Sequence, residues 1–127
     1  MLRSFLIDHA RREFAWGTED CCLLIADWWR ANHGVDPAAG WRGTYSTAAE
    51  KDALLAREGG VARIVRRLAL DVGAERTSDP RPGDFGVVRV DRKHLGAIRA
   101  PDGKWATKSL AGLVLFTPIH IVAAWKI

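Results

Sequence analysis

A change of hydrophobic period near Pro80 constrains the fold of this chain more than any other feature of its sequence. Upstream, apolar residues recur at helical spacing; downstream, short apolar runs of β type are separated by turn residues. Helices that precede the strands, instead of alternating with them, cannot serve as crossovers between parallel strands. The strands must then pair as an antiparallel meander, which makes the fold α+β.

Four helices are expected. Leu2, Phe5, Leu6 and His9 form one stripe, on a helix that ends before Trp16-Gly17. A second helix, Cys21 to Asn32, carries two adjoining stripes, Cys22/Ile25/Ala26/Trp29 and Cys21/Leu24/Trp28. It is apolar around most of its circumference and should be the most buried element, with His33-Gly34 and Asp36-Pro37 as its stop. Thr47 and Glu50 form a capping-box pair that opens a third helix, closed by Gly59-Gly60. Val61, Ile64, Val65 and Leu68 mark a fourth, with Arg63, Arg66 and Arg67 off the apolar stripe on a solvated face. Strands are expected over Phe85 to Val90, His94 to Arg99, Lys104 to Thr107, Leu113 to Phe116 and Ile121 to Trp125.

Length bounds the rest. With 127 residues, 48% of them hydrophobic and 27% charged, and with no stretch of linker composition, the chain is expected to form one domain over residues 1–127. Runs such as Leu23-Leu24-Ile25-Ala26 are far too short to span a bilayer. The N-terminus lacks a signal-peptide core, so synthesis in the cytoplasm without export by that route is expected. The net charge of +4 is modest and scattered, and no helix-turn-helix or aromatic-interleaved basic stripe accompanies it; nucleic acid is not the expected partner.

Chemistry begins at the two cysteines, which are adjacent. A bridge between sequence neighbours closes almost no loop and is badly strained, so Cys21 and Cys22 are read as thiols. Asp20-Cys21 follows the turn Trp16-Gly17-Thr18-Glu19, which places Cys21 in the first turn of its helix, where orphan amides favour a thiolate. Cys22 shares the core stripe with Ile25 and Trp29 and is read as structural. Nucleophilic catalysis also needs an imidazole from elsewhere in the fold. Of His9, His33, His94 and His120, only His94 sits at a strand start beside small neighbours, Gly96 and Ala97, over which a helix could lie closely.

These residues carry a resemblance. Phe14-Ala15-Trp16-Gly17-Thr18-Glu19-Asp20-Cys21, the turn Pro82-Gly83-Asp84, and His94-Leu95-Gly96-Ala97-Ile98 followed by Asp102-Gly103-Lys104 resemble the ordered motifs of NlpC-type papain-like cell-wall peptidases. Nearly the whole chain, including Trp28-Trp29 and the tail Ala123-Ala124-Trp125-Lys126-Ile127, resembles a small family encoded in phage and gene-transfer-agent tail modules. The resemblance implies a papain-like fold, Cys21 as nucleophile, His94 as its base, and peptidoglycan stem peptides as substrate in a virion tail. The peptidases place a third polar residue on the next strand; Thr107 is the side chain available there. The alternative is a tail hub or assembly component that keeps the scaffold without the activity.

No cofactor is expected. His9 with Glu13, or the cysteines with His33, could be imagined around a metal, but adjacent helical cysteines diverge by about 100°, which suits tetrahedral zinc badly. Six tryptophans are many for this length, and Trp28 and Trp29 can both be buried only if their helix is enclosed. An apolar patch near Trp28, Trp41 or Trp105, against other tail proteins, is therefore expected.

Overall fold

In a computed structural model that describes residues 1–127, four helices precede five strands. The helices are α1 (Leu2–Ala10), α2 (Cys21–His33), α3 (Ala48–Glu58) and α4 (Val61–Asp71). The strands are β1 (Phe85–Val90), β2 (Lys93–Arg99), β3 (Trp105–Ser109), β4 (Gly112–Phe116) and β5 (His120–Trp125). Every pairing is antiparallel, in the order β4-β3-β2-β1-β5, and the fold is α+β.

Local chemistry sets the ends of the elements. Asp20 caps α2 by accepting the Leu23 N–H at Oδ1 (3.1 Å), and Gly34 closes it in the left-handed region at φ +75°. Thr47 Oγ1 accepts the Glu50 N–H at 3.1 Å, while the Glu50 carboxylate reaches back one residue further than a capping box requires, to the Ser46 N–H at 3.3 Å. The last turn of α1 is held from outside, by the buried Lys108 ammonium donating to the His9 and Arg12 carbonyls.

Connectivity forces the sheet to coil. Five strands spaced about 4.8 Å apart place the two edges about 19 Å apart. The ladder puts the end of β4 and the start of β5 at diagonally opposite corners, yet only Thr117, Pro118 and Ile119 join them. Four Cα steps reach about 15 Å at most, so a flat sheet is impossible. The concave face closes over Val88, Ala97, Trp105 and Ala124, each at most 1% exposed without any helix residue in the cluster. On the other face, Leu24, Ile25, Trp28 and Trp29 of α2 and Val65 and Ala69 of α4 pack against Phe85, Val87, Ile98 and Trp125. This encloses α2. Trp28 and Trp29 are both buried, and the Trp28 indole N–H donates to Gly83 O at 2.7 Å. The exposed Arg63, Arg66 and Arg67 lie on the solvent side of α4. No helix is long and apolar enough to cross a membrane.

Candidate active site

The turn before α2 is built around one carboxylate. Asp20 is 3% exposed, and its Oδ2 accepts the Gly17 N–H at 3.0 Å and the Tyr45 hydroxyl at 2.5 Å. Burial, and then the Asp20 charge, push the Tyr45 phenol far up, which keeps it a proton donor. Gly17 has φ +81°, and a Cβ there would stand 2.0 Å from the Tyr45 carbonyl oxygen, so only glycine lets the two loops touch.

Cys21 is the first residue of α2 and is half-buried. In that turn the Leu23 N–H is spent on Asp20 Oδ1 and the Leu24 N–H on Asp20 O (2.9 Å), which leaves the amides of Cys21 and Cys22 outside the cap. Beneath lies β2. A Cβ on Gly96 would stand 2.9 Å from Ile25 Cδ1 and 3.3 Å from Cys21 O, so the glycine is what allows α2 to rest on the strand. The Cys21 thiol is pulled below the ordinary cysteine range. The largest cause is a hydrogen bond from the Cys22 thiol, which outweighs burial and the Asp20 charge, with help from the Gly96 and Cys22 N–H groups. The donor of that bond is pushed the other way. Cys22 lies well above the ordinary range, through the bond it gives to Cys21, then burial and the neighbouring charges.

A cavity of about 770 Å³ has Cys21, His94 and Thr107 among its lining residues. The His94 side chain is exposed on β2, opposite Arg89 of β1 and two residues from Gly96, hence on the face that meets α2. Thr107 is buried on β3, and its hydroxyl donates to Gly96 O at 2.7 Å, so its proton is spent on the backbone and not on the imidazole. Phe14, Trp16, Trp41, Leu54 and Ile64 supply apolar walls. Lys51, whose ammonium lies 4.9 Å from the Trp16 ring centre, joins Arg92 and Lys93 as cationic lining.

The sequence profile of a family described as a domain of unknown function, DUF6950, matches residues 1–127. The chain belongs to the DUF6950 family. No curated protein and no solved structure matches it.

In this DUF6950 chain the other three histidines lie outside the cavity wall. His33 stacks on Trp29 (ring centres 4.0 Å apart), and His120 is exposed at the start of β5. His9 is buried, with Nδ1 3.0 Å from Phe5 O and Nε2 3.1 Å from Asp27 Oδ2. Its acidic neighbours are Glu19 and Asp27, with ligand atoms within 4.8 Å of one another, and not Glu13. Guanidinium groups already face both carboxylates. Arg42 Nη2 lies 2.6 Å from Asp27 Oδ1 and Arg12 Nη1 3.4 Å from Glu19 Oε1, so the cluster is an ion-pair network. Sequence reasoning missed Tyr45, Asp27 and Arg42. Tyr45 is the only tyrosine in the chain, and it stands in a polar loop after Gly43 where no period calls for an aromatic ring. That isolation was the available signal.

Proposed function

We propose that this DUF6950 chain is a papain-like cysteine peptidase of a phage or gene-transfer-agent tail, hydrolysing peptide bonds in peptidoglycan stem peptides as the tail crosses the cell wall. The observation that carries the reading is that a half-buried thiol with a lowered pKa, at the free amide end of α2, shares one cavity with the imidazole of His94. In the reaction the Cys21 thiolate adds to the scissile carbonyl carbon, and the oxyanion takes the Cys21 N–H that the Asp20 cap leaves open. The imidazolium of His94 gives its proton to the leaving amine, and a thioester remains. Water, deprotonated by His94, then releases the acid product and regenerates the thiol.

The test is release of stem-peptide fragments from purified sacculi. The wild-type chain should release them; Cys21→Ala should release none while keeping the wild-type melting temperature. Retained activity in Cys21→Ala would end the reading. A second reading, a non-catalytic tail hub on the same scaffold, is favoured by the Thr107 hydrogen bond, which leaves the His94 imidazole without a side-chain partner to orient it. A wild-type chain that releases nothing, but that is stably incorporated into tails, would support the hub.

A further inference from the structure

The ladder between β2 and β3 is unusually short. β1 and β2 match at six positions and β3 and β4 at five, but β2 and β3 match only at Ile98↔Ala106 and Arg99↔Trp105. Beyond these, the Thr107 hydroxyl stands in for the next rung by bonding Gly96 O, and the two hairpins then part. The resulting seam opens on the cavity, whose lining includes Arg92 to Leu95 on one lip and Thr107 to Ala111 on the other.

Backbone alternation says which groups the seam leaves open. Arg99 N–H donates to Asp84 O at 2.7 Å and Arg99 O accepts from Gly83 N–H at 2.8 Å, so Arg99 faces the β1 side. Ala100 N–H donates to Lys104 O at 2.8 Å, toward β3. With period two and no bulge in β2 against β1, Ile98, Gly96 and His94 direct their main-chain groups toward β3. Ile98 has its partner, and Gly96 has Thr107. His94 has none in the ladder, and it is solvent-exposed. Its N–H and C=O form one open rung of sheet edge on the same cavity as the candidate nucleophile. The charge around it is one-sided. Arg92, Lys93 and Lys51, the last also meeting Asp52 at 2.6 Å, line the cavity, whereas its one lining carboxylate, Asp20, is buried under three hydrogen bonds.

We propose that the seam between β2 and β3 is a strand-addition site for an acidic peptide in extended conformation, whose main chain pairs with the N–H and C=O of His94 and whose carboxylates meet Arg92, Lys93 and Lys51. The proposal rests on the peptidase reading in one respect only, that the inserted strand is the substrate chain. Main-chain pairing supplies affinity, and alternate side chains point into the apolar wall formed by residues such as Trp41 and Leu54. Cationic residues at the mouth select peptides by charge and raise the rate of encounter.

The experiment uses Cys21→Ala protein, so that binding is read apart from chemistry. A library of capped hexapeptides with one fixed glutamate, and the matched glutamine library, are selected against it. Binders are then titrated by the emission of Trp16 and Trp41. The glutamate library should yield binders; N-methylation of the peptide nitrogen that donates to His94 O should weaken them at least tenfold, and methylation one residue along should leave them unchanged. Arg92→Ser/Lys93→Ser should remove the preference for glutamate over glutamine. No binders from either library, or binders indifferent to N-methylation at every position, overturns the proposal. The selected peptides are also incubated with wild-type protein. Binding with period-two sensitivity but no cleavage sinks the peptidase reading and leaves the strand site; cleavage without that sensitivity does the reverse.

Discussion

At the scale of single residues, the two cysteines divide their labour through one proton. The thiolate is the reactive species, so a lowered Cys21 means that alkylation rises to half its maximal rate at a lower pH than it does for an ordinary cysteine. Because the Cys22 thiol is the largest cause of the lowering, Cys22→Ala should move that midpoint upward. Iodoacetamide labelling rates across pH, read by mass spectrometry at each cysteine, check the direction. A midpoint that stays put would assign the lowering to the Gly96 and Cys22 amides instead. Wild-type Cys22 should label far more slowly than Cys21. The position of Cys21 was legible in the sequence, since a turn followed by Asp20 announces a helix start. Its dependence on Cys22 was not, because adjacent helical residues ordinarily diverge.

At the scale of elements, the agreement between sequence and structure divides along the range of the forces involved. Period and capping are local, and the β strand bounds fall within a residue or two of those expected: β2 begins at Lys93 instead of His94, and β3 runs to Ser109 instead of Thr107. The coiling of the sheet, the short β2–β3 ladder and the Tyr45–Asp20–Gly17 junction depend on segments far apart in the chain, and no window of residues encodes them. Gly96 stands between the two classes. Its smallness was visible, but that a Cβ there would stand 3.3 Å from Cys21 O is a fact of packing. Gly96→Ala should lift the N-terminus of α2 from β2, because both Ile25 Cδ1 and the Cys21 carbonyl must give way. An overpacked methyl costs about 1–3 kcal/mol. The expected result is a lower melting temperature with a larger loss in Cys21 alkylation rate, since the alanine displaces the thiol's own support. A variant that melts normally and labels at the wild-type rate would show that the contact is slack.

At the scale of the whole molecule, one chain of charges ties the helical layer together. His9 of α1 meets Asp27 of α2 at 3.1 Å, Arg42 of the following loop meets Asp27 at 2.6 Å, and the same guanidinium meets Asp36 at 2.6 Å. Burial by itself would raise the Asp27 carboxyl, but the hydrogen bond from His9 and the charge of Arg42 prevail and hold it below the ordinary range. Asp36 is held low chiefly by its hydrogen bond from Arg42.

A carboxylate whose folded pKa lies below its unfolded one stabilises the fold fully above the unfolded value, near 4, and loses that contribution as the pH falls through the folded value. Stability should therefore be flat from neutral pH down to about 5 and then decline. Arg42→Ala strips the shared partner from two largely buried carboxylates, side chains 11% and 14% exposed, and should cost about 3 kcal/mol at neutral pH. For a domain of this size that is a drop of roughly 10 °C in melting temperature. The variant should also lose less than the wild type between pH 5 and pH 3, because the Asp36 carboxyl has lost the largest cause of its depressed pKa. Melting curves of both proteins across that interval decide the matter: parallel declines would place the acid sensitivity elsewhere, whereas converging curves identify the Asp27–Arg42–Asp36 bridge as the acid-labile joint between α2 and the loop that carries Trp41 and Tyr45 to the cavity.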